Sequence, residues 1–198
     1  DIIIFKYKNI IIIILINFHH FHNNKFTKYA VGSISGNKFE NFIIKFLLNI
    51  INFNEWLYKY NLNTLDNEIA ITLDDGLLCQ YEIALPILNK YNIKAGWGIC
   101  SSPFQNIPIF LEVYKYFQEL YFQNDNEFYE LFYNIIFIDK KYENYRKELN
   151  NTENISNYRK NLLFYTYDER KFRYIRDIMF NTNDFRRIIE IMMERKNC

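Results

Sequence analysis

The chain has 198 residues, of which 49% are hydrophobic and 24% are charged, a composition typical of a globular domain with one sizeable core. Its 24 basic and 23 acidic residues give a formal net charge of +1 and are spread along the chain. No electrostatic field therefore favours nucleic acid or a membrane surface over a neutral ligand, and polyanions are poor candidates for the partner.

The first apolar segment, Ile10 to Ile16, follows a stretch that Lys6 and Lys8 interrupt. It is much shorter than the ~18 residues that a membrane-spanning helix needs, so we expect no membrane span. A short run of β-branched residues predicts instead a strand that is buried on both faces, as in a parallel sheet. The sequence leaves open whether the protein resides in the cytoplasm or in the cell envelope.

A loop, a helix and a second strand are predicted next. Residues 18 to 35 are loop-like, and Ser35 is a suitable N-cap for a helix. The apolar residues of that helix recur at spacings of three and four, which predicts one buried face: Phe39, Phe42, Ile43, Phe46 and Leu47. The apolar stretch at 50–53 predicts a short strand, and a small helix is expected around Glu55 to Tyr60.

The segment from residue 68 to residue 100 has the pattern of a βαβ unit. Residues 68 to 73 and 94 to 100 are apolar and predict strands, whereas residues 77 to 91 carry apolar side chains at helical spacing. A strand, a helix and a strand in this order predict a parallel pair with a right-handed crossover.

Two adjacent carboxylates, Asp74 and Asp75, end the strand at 68–73 and precede Gly76. An Asp-Gly pair between two alternating strands would indicate a hairpin turn, but here the next predicted element is a helix. The carboxyl end of a parallel strand is where α/β folds place ligands and catalytic groups. Adjacent carboxylates favour a nearby cation, with one Asp as metal ligand and the other moving protons, although an ordinary turn remains the alternative.

These residues resemble the first motif of the polysaccharide deacetylase family, the NodB-homology domain. "ITLDDG" followed by "QYEIALPILNKYNIKA" is similar to the family's T-F-D-D-G stretch and the helix after it, with Leu73 in place of the usual Phe. Upstream, "ILINFHHFHN" is similar to the Y-H stretch that ends the family's first barrel strand, and Phe18 and His19 match it best. The resemblance spans residues 10 to 104.

The resemblance implies a role for three residues. Asp74 would be the general base that activates water, and Asp75 would be a ligand of a divalent metal, usually zinc. His19 would line the pocket of the carbohydrate substrate. The family takes two further metal ligands from a later H-x-x-x-H motif, but this sequence has no histidine after His22.

The incomplete set of metal ligands has two competing explanations. The family barrel has about seven strands, whereas the chain offers about four before it becomes helical, too few for closure. A chain that is cut at Cys198 and lacks an upstream segment before Asp1 explains both the absent histidine motif and the small number of strands, and this is our expectation. A degenerate family member that has lost catalysis is the alternative.

The three histidines allow a second interpretation of the metal site. If residues 18 to 22 are extended, His20 and His22 point to the same face, where two imidazoles are able to bind a metal. We favour the simpler expectation that His19 lines the pocket and that His20 and His22 form hydrogen bonds within the loop.

The second half of the chain is predicted to be helical. The expected helices span residues 109–122, 127–138, 140–147, 155–164, 169–179 and 184–195, the last capped by Thr182 or Asn183. The segment 171–193 is also similar to a helical insertion seen in some deacetylases. We therefore expect residues 1–104 to form the first part of a barrel and residues 105–198 to form a helical insertion belonging to the same domain.

The predicted fold is α/β, the incomplete N-terminal part of a (β/α) barrel of the polysaccharide deacetylase type. The predicted function is metal-dependent hydrolysis of N-acetyl groups on a polysaccharide or its glycan precursor, with the chain inactive when alone. Hydrolysis of a small cyclic amide is a variant within the enzyme class. A non-catalytic carbohydrate-binding or structural relic is the alternative from another class.

Overall fold

The computed structural model of the chain describes residues 2–7, 11–23, 32–149, 152–162 and 165–198. The chain is mixed α/β and mostly helical, and it divides into two compact units, Asp1–Ile109 and Phe110–Cys198. The predicted boundary between residues 104 and 105 falls just before this division. That the helical unit is an insertion within a single domain stays a prediction.

The first unit contains all of the strands that are described. In chain order they are β1 (Ile2–Tyr7), β2 (Ile11–Phe18), β3 (Phe21–His22), β4 (Ile34–Ser35), β5 (Ile69–Asp74) and β6 (Gly96–Gly98). Four of them form one sheet in the order β1-β2-β5-β6, in which β1 is antiparallel to β2 and the pairs β2–β5 and β5–β6 are parallel. The parallel arrangement predicted from the βαβ pattern is therefore confirmed, and β3 and β4 form a separate parallel pair.

The sheet is open among the described residues, with β1 and β6 at its two edges. The predicted strand at 50–53 is wrong in extent, since only Ile50 pairs, through an isolated parallel bridge to Ile69. The backbone N–H of Phe53 instead donates to the carbonyl of Lys94 as a helix begins. The antiparallel β1 was not predicted. Residues 24–31 of the predicted loop lie outside the described residues.

The helices of the first unit follow the predicted periodicity. They are α1 (Gly36–Phe46), α2 (Phe53–Asn61) and α3 (Leu85–Lys90), the last preceded by a π-helical turn at Gln80–Ala84. The predicted N-cap is confirmed, because Ser35 Oγ accepts a hydrogen bond from the backbone N–H of Lys38 at 3.3 Å.

The sheet of the first unit is covered on both faces. Phe39 and Ile43 of α1 pack with Ile71 and Leu73 of β5 on one side. On the other side, Ala70 of β5 packs with Trp56 and Leu65. The neighbouring residues Leu15 and Ile16 of β2 also pack into these two different clusters, so the expectation of a strand buried on both faces holds where β2 burial is described.

The second unit is helical. Its helices are α4 (Phe110–Tyr121), α5 (Asp125–Ile138), α6 (Glu143–Leu149), α7 (Thr152–Asn157), α8 (Tyr167–Tyr174) and α9 (Thr182–Arg195). A π-helical turn at Ile175–Met179 follows α8. The predicted helix at 155–164 is wrong in extent, since α7 ends at Asn157, and residues 163–164 lie outside the described residues. The N-cap of α9 is Asn181, not Thr182 or Asn183 as predicted.

The core of the second unit is aromatic. Phe172 lies at its centre, with ring centroids 5.0 Å from Phe132, 5.5 Å from Phe128 and 5.2 Å from Tyr129. The pairs with Phe132 and Phe128 are edge-to-face, an arrangement that adds to the hydrophobic contribution of burial. Much of the aromatic content of this unit therefore serves packing. No helix in the described part of the chain has the length and apolarity to cross a membrane.

Asp184 lies in the first turn of α9, and its carboxylate has several polar partners. Its carboxylate contacts Lys141 Nζ at 2.7 Å and accepts hydrogen bonds from Tyr145 Oη at 3.0 Å and Asn181 Nδ2 at 2.7 Å. The hydrogen bond from Lys141, supported by those from Tyr145 and Asn181, lowers the pKa of Asp184 below its usual value even though partial burial opposes the shift. The folded state therefore favours the ionised carboxylate.

We expect Asp184→Asn to reduce the free energy of unfolding by about 1 kcal/mol at neutral pH, because the charge pair at the helix start is lost. A carboxyl whose folded pKa is lowered stabilises the protein above the unfolded pKa of about 4 and loses that contribution as the pH falls through the folded value. Urea unfolding at several pH values should therefore show the two proteins converging in acid. A difference that grows as the pH falls would contradict this account.

Candidate functional site

The carboxyl ends of β2, β5 and β6 meet at one edge of the sheet. Phe18, the last residue of β2, pairs with Leu73, and Asp74, the last residue of β5, pairs with Gly98 of β6. His19 follows β2 directly, and Asp75 follows β5 directly. The topology therefore brings together the three residues that the sequence singled out, Asp74, Asp75 and His19.

Asp74 is half-buried and held in place on two sides. Its Oδ2 accepts a hydrogen bond of 2.7 Å from Nδ2 of Asn17, a residue of β2. Its Oδ1 lies over Gly98, so closely that a Cβ at position 98 would stand 2.7 Å from that oxygen. Among the described residues, none donates a hydrogen bond to Oδ1. Asp74 therefore presents one oxygen that is engaged and one that is able to accept a proton.

Asp75 turns the chain away from the strand. Its φ is +77° and that of Gly76 is +67°, so both residues have the left-handed backbone that Asp and Gly tolerate best. The turn leads to the π-helical turn and α3, not to a hairpin. The prediction that the carboxylates end a parallel strand, not a hairpin strand, is confirmed.

His19 and Asp75 contact each other through their side chains. Nδ1 of His19 lies 3.3 Å from Oδ2 of Asp75, and the two side chains retain 35% and 29% exposure. Both groups are therefore accessible to a ligand from solvent. The distance suits a hydrogen bond, and it also equals the separation expected of two ligands at about 2.0–2.1 Å from one tetrahedral zinc ion.

Asn17 is a site residue that the sequence analysis did not single out. It is 8% exposed, and its side chain lies within hydrogen-bonding distance of Asp74, of His19 Nε2 at 3.0 Å and of Thr72 Oγ1 at 3.1 Å. The available signal was a polar residue near the end of an apolar strand. The general abundance of Asn in this chain conceals that signal.

Gln80 is the second residue that the sequence analysis missed. It is fully buried, and its Nε2 donates to the backbone carbonyls of His19 at 2.8 Å and Asp74 at 2.5 Å. Its Oε1 accepts from the backbone N–H of Leu77 at 3.2 Å. A single side chain therefore ties the end of β2 to the end of β5, which fixes the distance between His19 and the carboxylates.

His20 and His22 are placed differently from His19. Nδ1 of His22 lies 2.6 Å from Oγ of Ser33, and the carbonyl of His20 accepts from the backbone N–H of Ile34. Both contacts join the segment after β2 to the segment around β4. The contact of the His22 imidazole agrees with the expectation of hydrogen bonds within the loop, whereas that expectation stays a prediction for the imidazole of His20.

The side chains at this edge of the sheet offer few ligands for a divalent metal. Asp75 presents an accessible carboxylate, which suits one ligand position. In the part of the chain that the structure describes, however, no three His, Cys, Asp or Glu side chains come together as a metal site. A catalytic zinc site normally has three protein ligands and an open position. The described residues therefore do not complete such a site by themselves.

Comparison with known proteins gives little further information. No family model and no curated protein matches the chain. Among solved structures, the chain is similar to a de-N-acetylase from Aggregatibacter actinomycetemcomitans, with 19% identity and a TM-score of 0.38. The similarity covers 48% of this chain and 39% of the de-N-acetylase. At this identity and TM-score it establishes neither a shared fold nor a shared activity.

Gly98 is expected to be essential for the position of Asp74. In Gly98→Ala the new methyl group would stand 2.7 Å from Asp74 Oδ1, so the carboxylate must rotate and its hydrogen bond with Asn17 must break or lengthen. The side-chain amide signals of Asn17 in an NMR spectrum should shift, and the free energy of unfolding should fall by about 1–3 kcal/mol from overpacking.

Gly36→Ala is the matched control for this change. A Cβ at position 36 would meet the Cγ2 methyl of Ile83 at 3.0 Å, a similar crowding in which no carboxylate atom lies within 4 Å. The Asn17 amide signals should stay in place in this variant. Equal shifts in both variants would show that Gly98 has no specific relation to Asp74.

Proposed function

We propose that the edge formed by β2, β5 and β6 is the carboxylate part of a metal-dependent hydrolytic site that removes N-acetyl groups from a polysaccharide or its glycan precursor. The observation that carries the proposal is the meeting of His19 with the adjacent carboxylates Asp74 and Asp75, 56 residues away from His19 in the case of Asp75, at the carboxyl ends of parallel strands. The motif "ITLDDG" supports the same chemistry through its family resemblance. The fold would be the first part of a deacetylase-type barrel.

Each residue has a role that follows from its surroundings. Asp74 takes a proton from the attacking water at Oδ1, while its Oδ2 stays anchored by Asn17. Asp75 holds a divalent metal, taken to be zinc, and His19 lies beside Asp75 at the mouth of the site. When bound, such a metal polarises an acetyl carbonyl and makes water more acidic.

The near-zero net charge of the chain agrees with an uncharged substrate. With a net charge of +1 the protein has no strong field to attract polyanions, and an N-acetylated sugar carries no charge. Trp97 lies within β6 and is 37% exposed, and Ile99 follows β6 directly and is 54% exposed. Gly98 lies between them in the sequence. An exposed indole near this edge suits contact with a sugar face.

The test is acetate release from N-acetylglucosamine oligomers with added zinc. We propose in addition that this chain is part of a longer protein, and that full-length protein is expected to release acetate. The 198-residue chain alone is expected to release little and to bind zinc weakly, because Asp75 is the one ligand assigned in it. Oligomer binding by the full-length protein without any acetate release would favour a non-catalytic carbohydrate-binding protein instead.

A further inference from the structure

The side chain of Asn17 determines how the polar groups of the site are hydrogen-bonded. Its Nδ2 lies 2.7 Å from Asp74 Oδ2 and 3.0 Å from His19 Nε2, and its Oδ1 lies 3.1 Å from Thr72 Oγ1. An ionised carboxylate only accepts hydrogen bonds, so the amide nitrogen must face Asp74. The hydroxyl of Thr72 then donates to the amide oxygen, which agrees with the same orientation.

This orientation decides which nitrogen of His19 carries the proton. An amide nitrogen donates and does not accept, so His19 Nε2 must be the acceptor of its contact with Asn17. A neutral imidazole has one N–H, and that N–H must then be on Nδ1. Nδ1 faces Asp75 Oδ2 at 3.3 Å, so His19 donates a hydrogen bond to Asp75.

We propose that Asn17 is a positioning residue that holds Asp74 and locks His19 in the Nδ1–H tautomer, so that His19 orients Asp75 and does not itself bind a metal. The 3.3 Å distance would also suit His19 and Asp75 as two ligands of one ion, but Nδ1 binds a metal only when it carries no proton. The Nδ1–H tautomer therefore excludes His19 as a ligand through Nδ1. A hydrogen bond to one carboxylate oxygen leaves the other, Oδ1 of Asp75, for a metal. What Asp74 and Asp75 do chemically rests on the proposed function, whereas the tautomer rests on the geometry alone.

The unaltered chain provides the direct test. With ¹⁵N-labelled histidine, the imidazole nitrogen shifts in alkaline buffer, where unperturbed imidazoles are neutral, report which nitrogen carries the proton. The chain has three histidines, and the signals of His19 are those lost in His19→Gln. The proton is expected on Nδ1, and it should remain there when zinc is added. A proton on Nε2, or a large zinc-dependent shift at Nδ1, would overturn the proposal.

Variants of Asn17 separate positioning from folding. In Asn17→Leu the amide that contacts His19 Nε2 is removed while Asp75 still faces Nδ1, so the Nε2–H tautomer should appear beside the Nδ1–H tautomer. Asn89→Leu makes the same change at an exposed position of α3 and should leave the tautomer unchanged. If Asn17→Leu melts as the parent does and still shows only Nδ1–H, Asn17 does not set the tautomer. Where a variant unfolds, the spectrum of the unaltered chain decides.

Activity of the full-length protein gives an independent measurement. Asn17→Leu is expected to lower kcat by about 10- to 100-fold with little change in KM, the range typical of residues that orient a metal ligand. An unchanged kcat would overturn the positioning role. Absence of hydrolysis by the unaltered full-length protein would instead contradict the proposed function and would leave the tautomer result standing.

Discussion

Asp74→Asn is expected to lower the rate of the proposed N-acetyl hydrolysis by the full-length protein by ~10² to 10⁴, the usual effect of removing a general base. An amide does not take a proton from water at neutral pH. Its oxygen is nevertheless able to accept the hydrogen bond that Asn17 donates to Asp74 Oδ2 at 2.7 Å, so the fold should be retained. The measurement is the initial rate of acetate release at saturating zinc, with thermal unfolding as a check on folding.

Asp66→Asn is the matched control for this variant. Asp66 is exposed on the segment that leads into β5, where its Oδ1 accepts a hydrogen bond from Asn67. The same loss of one negative charge there should leave the rate within a factor of about two, as expected of an exposed substitution away from the site. If both variants lose the same fraction of activity, net charge and not the position of Asp74 is the cause.

Asp75→Asn should respond differently to metal. If Asp75 is a ligand, its loss weakens zinc binding, and excess zinc should restore part of the rate. Excess zinc should not restore Asp74→Asn, because the lost proton acceptor is not replaced. An identical response of the two variants to a zinc titration would contradict the division of roles between these neighbouring carboxylates.

The part of the fold around residues 68–100 is predictable from sequence because its signals are local. Asp74 and Asp75 end a strand, apolar residues at helical spacing follow, and a second strand completes the unit, as β5, α3 and β6 confirm. The helix after Ser35 is predictable for the same reason, because a side-chain cap and an apolar face lie within one short segment.

The stretch at 50–53 shows where local signals fail. Four residues with apolar character fit a buried strand and the beginning of a helix equally well. Tertiary contacts decide between the two: Ile50 bridges to Ile69, and Phe53 donates to the carbonyl of Lys94 as α2 begins. Neither partner is identifiable from the four residues themselves. The antiparallel pairing of β1 with β2 was missed for a related reason, because Lys6 breaks the apolar run.

The site was only partly predictable. Asp74 and Asp75 stand out because adjacent carboxylates at the end of a buried strand are unusual, whereas Asn17 and Gln80 are single polar residues in ordinary surroundings. Their importance depends on partners 57 and 61 residues away in sequence, Asp74 for Asn17 and His19 for Gln80. Such partners become visible only when the strands are aligned in register.

Gln80→Leu is expected to be strongly destabilising. It removes the hydrogen-bond partners of three backbone groups, the carbonyls of His19 and Asp74 and the N–H of Leu77, at a position that is fully buried. At ~1 kcal/mol or more for each group left unsatisfied, the free energy of unfolding should fall by about 3 kcal/mol, measured by urea denaturation.

Gln80→Glu keeps the volume and the acceptor but places a carboxylate against two carbonyl oxygens, so it should reduce the free energy of unfolding at least as much. Gln105→Leu, at an exposed position of the same unit, should change stability by less than about 0.5 kcal/mol. If Gln80→Glu were as stable as the parent, side-chain volume and not hydrogen bonding would be what Gln80 contributes, and the link between the ends of β2 and β5 would have to come from elsewhere in the sheet.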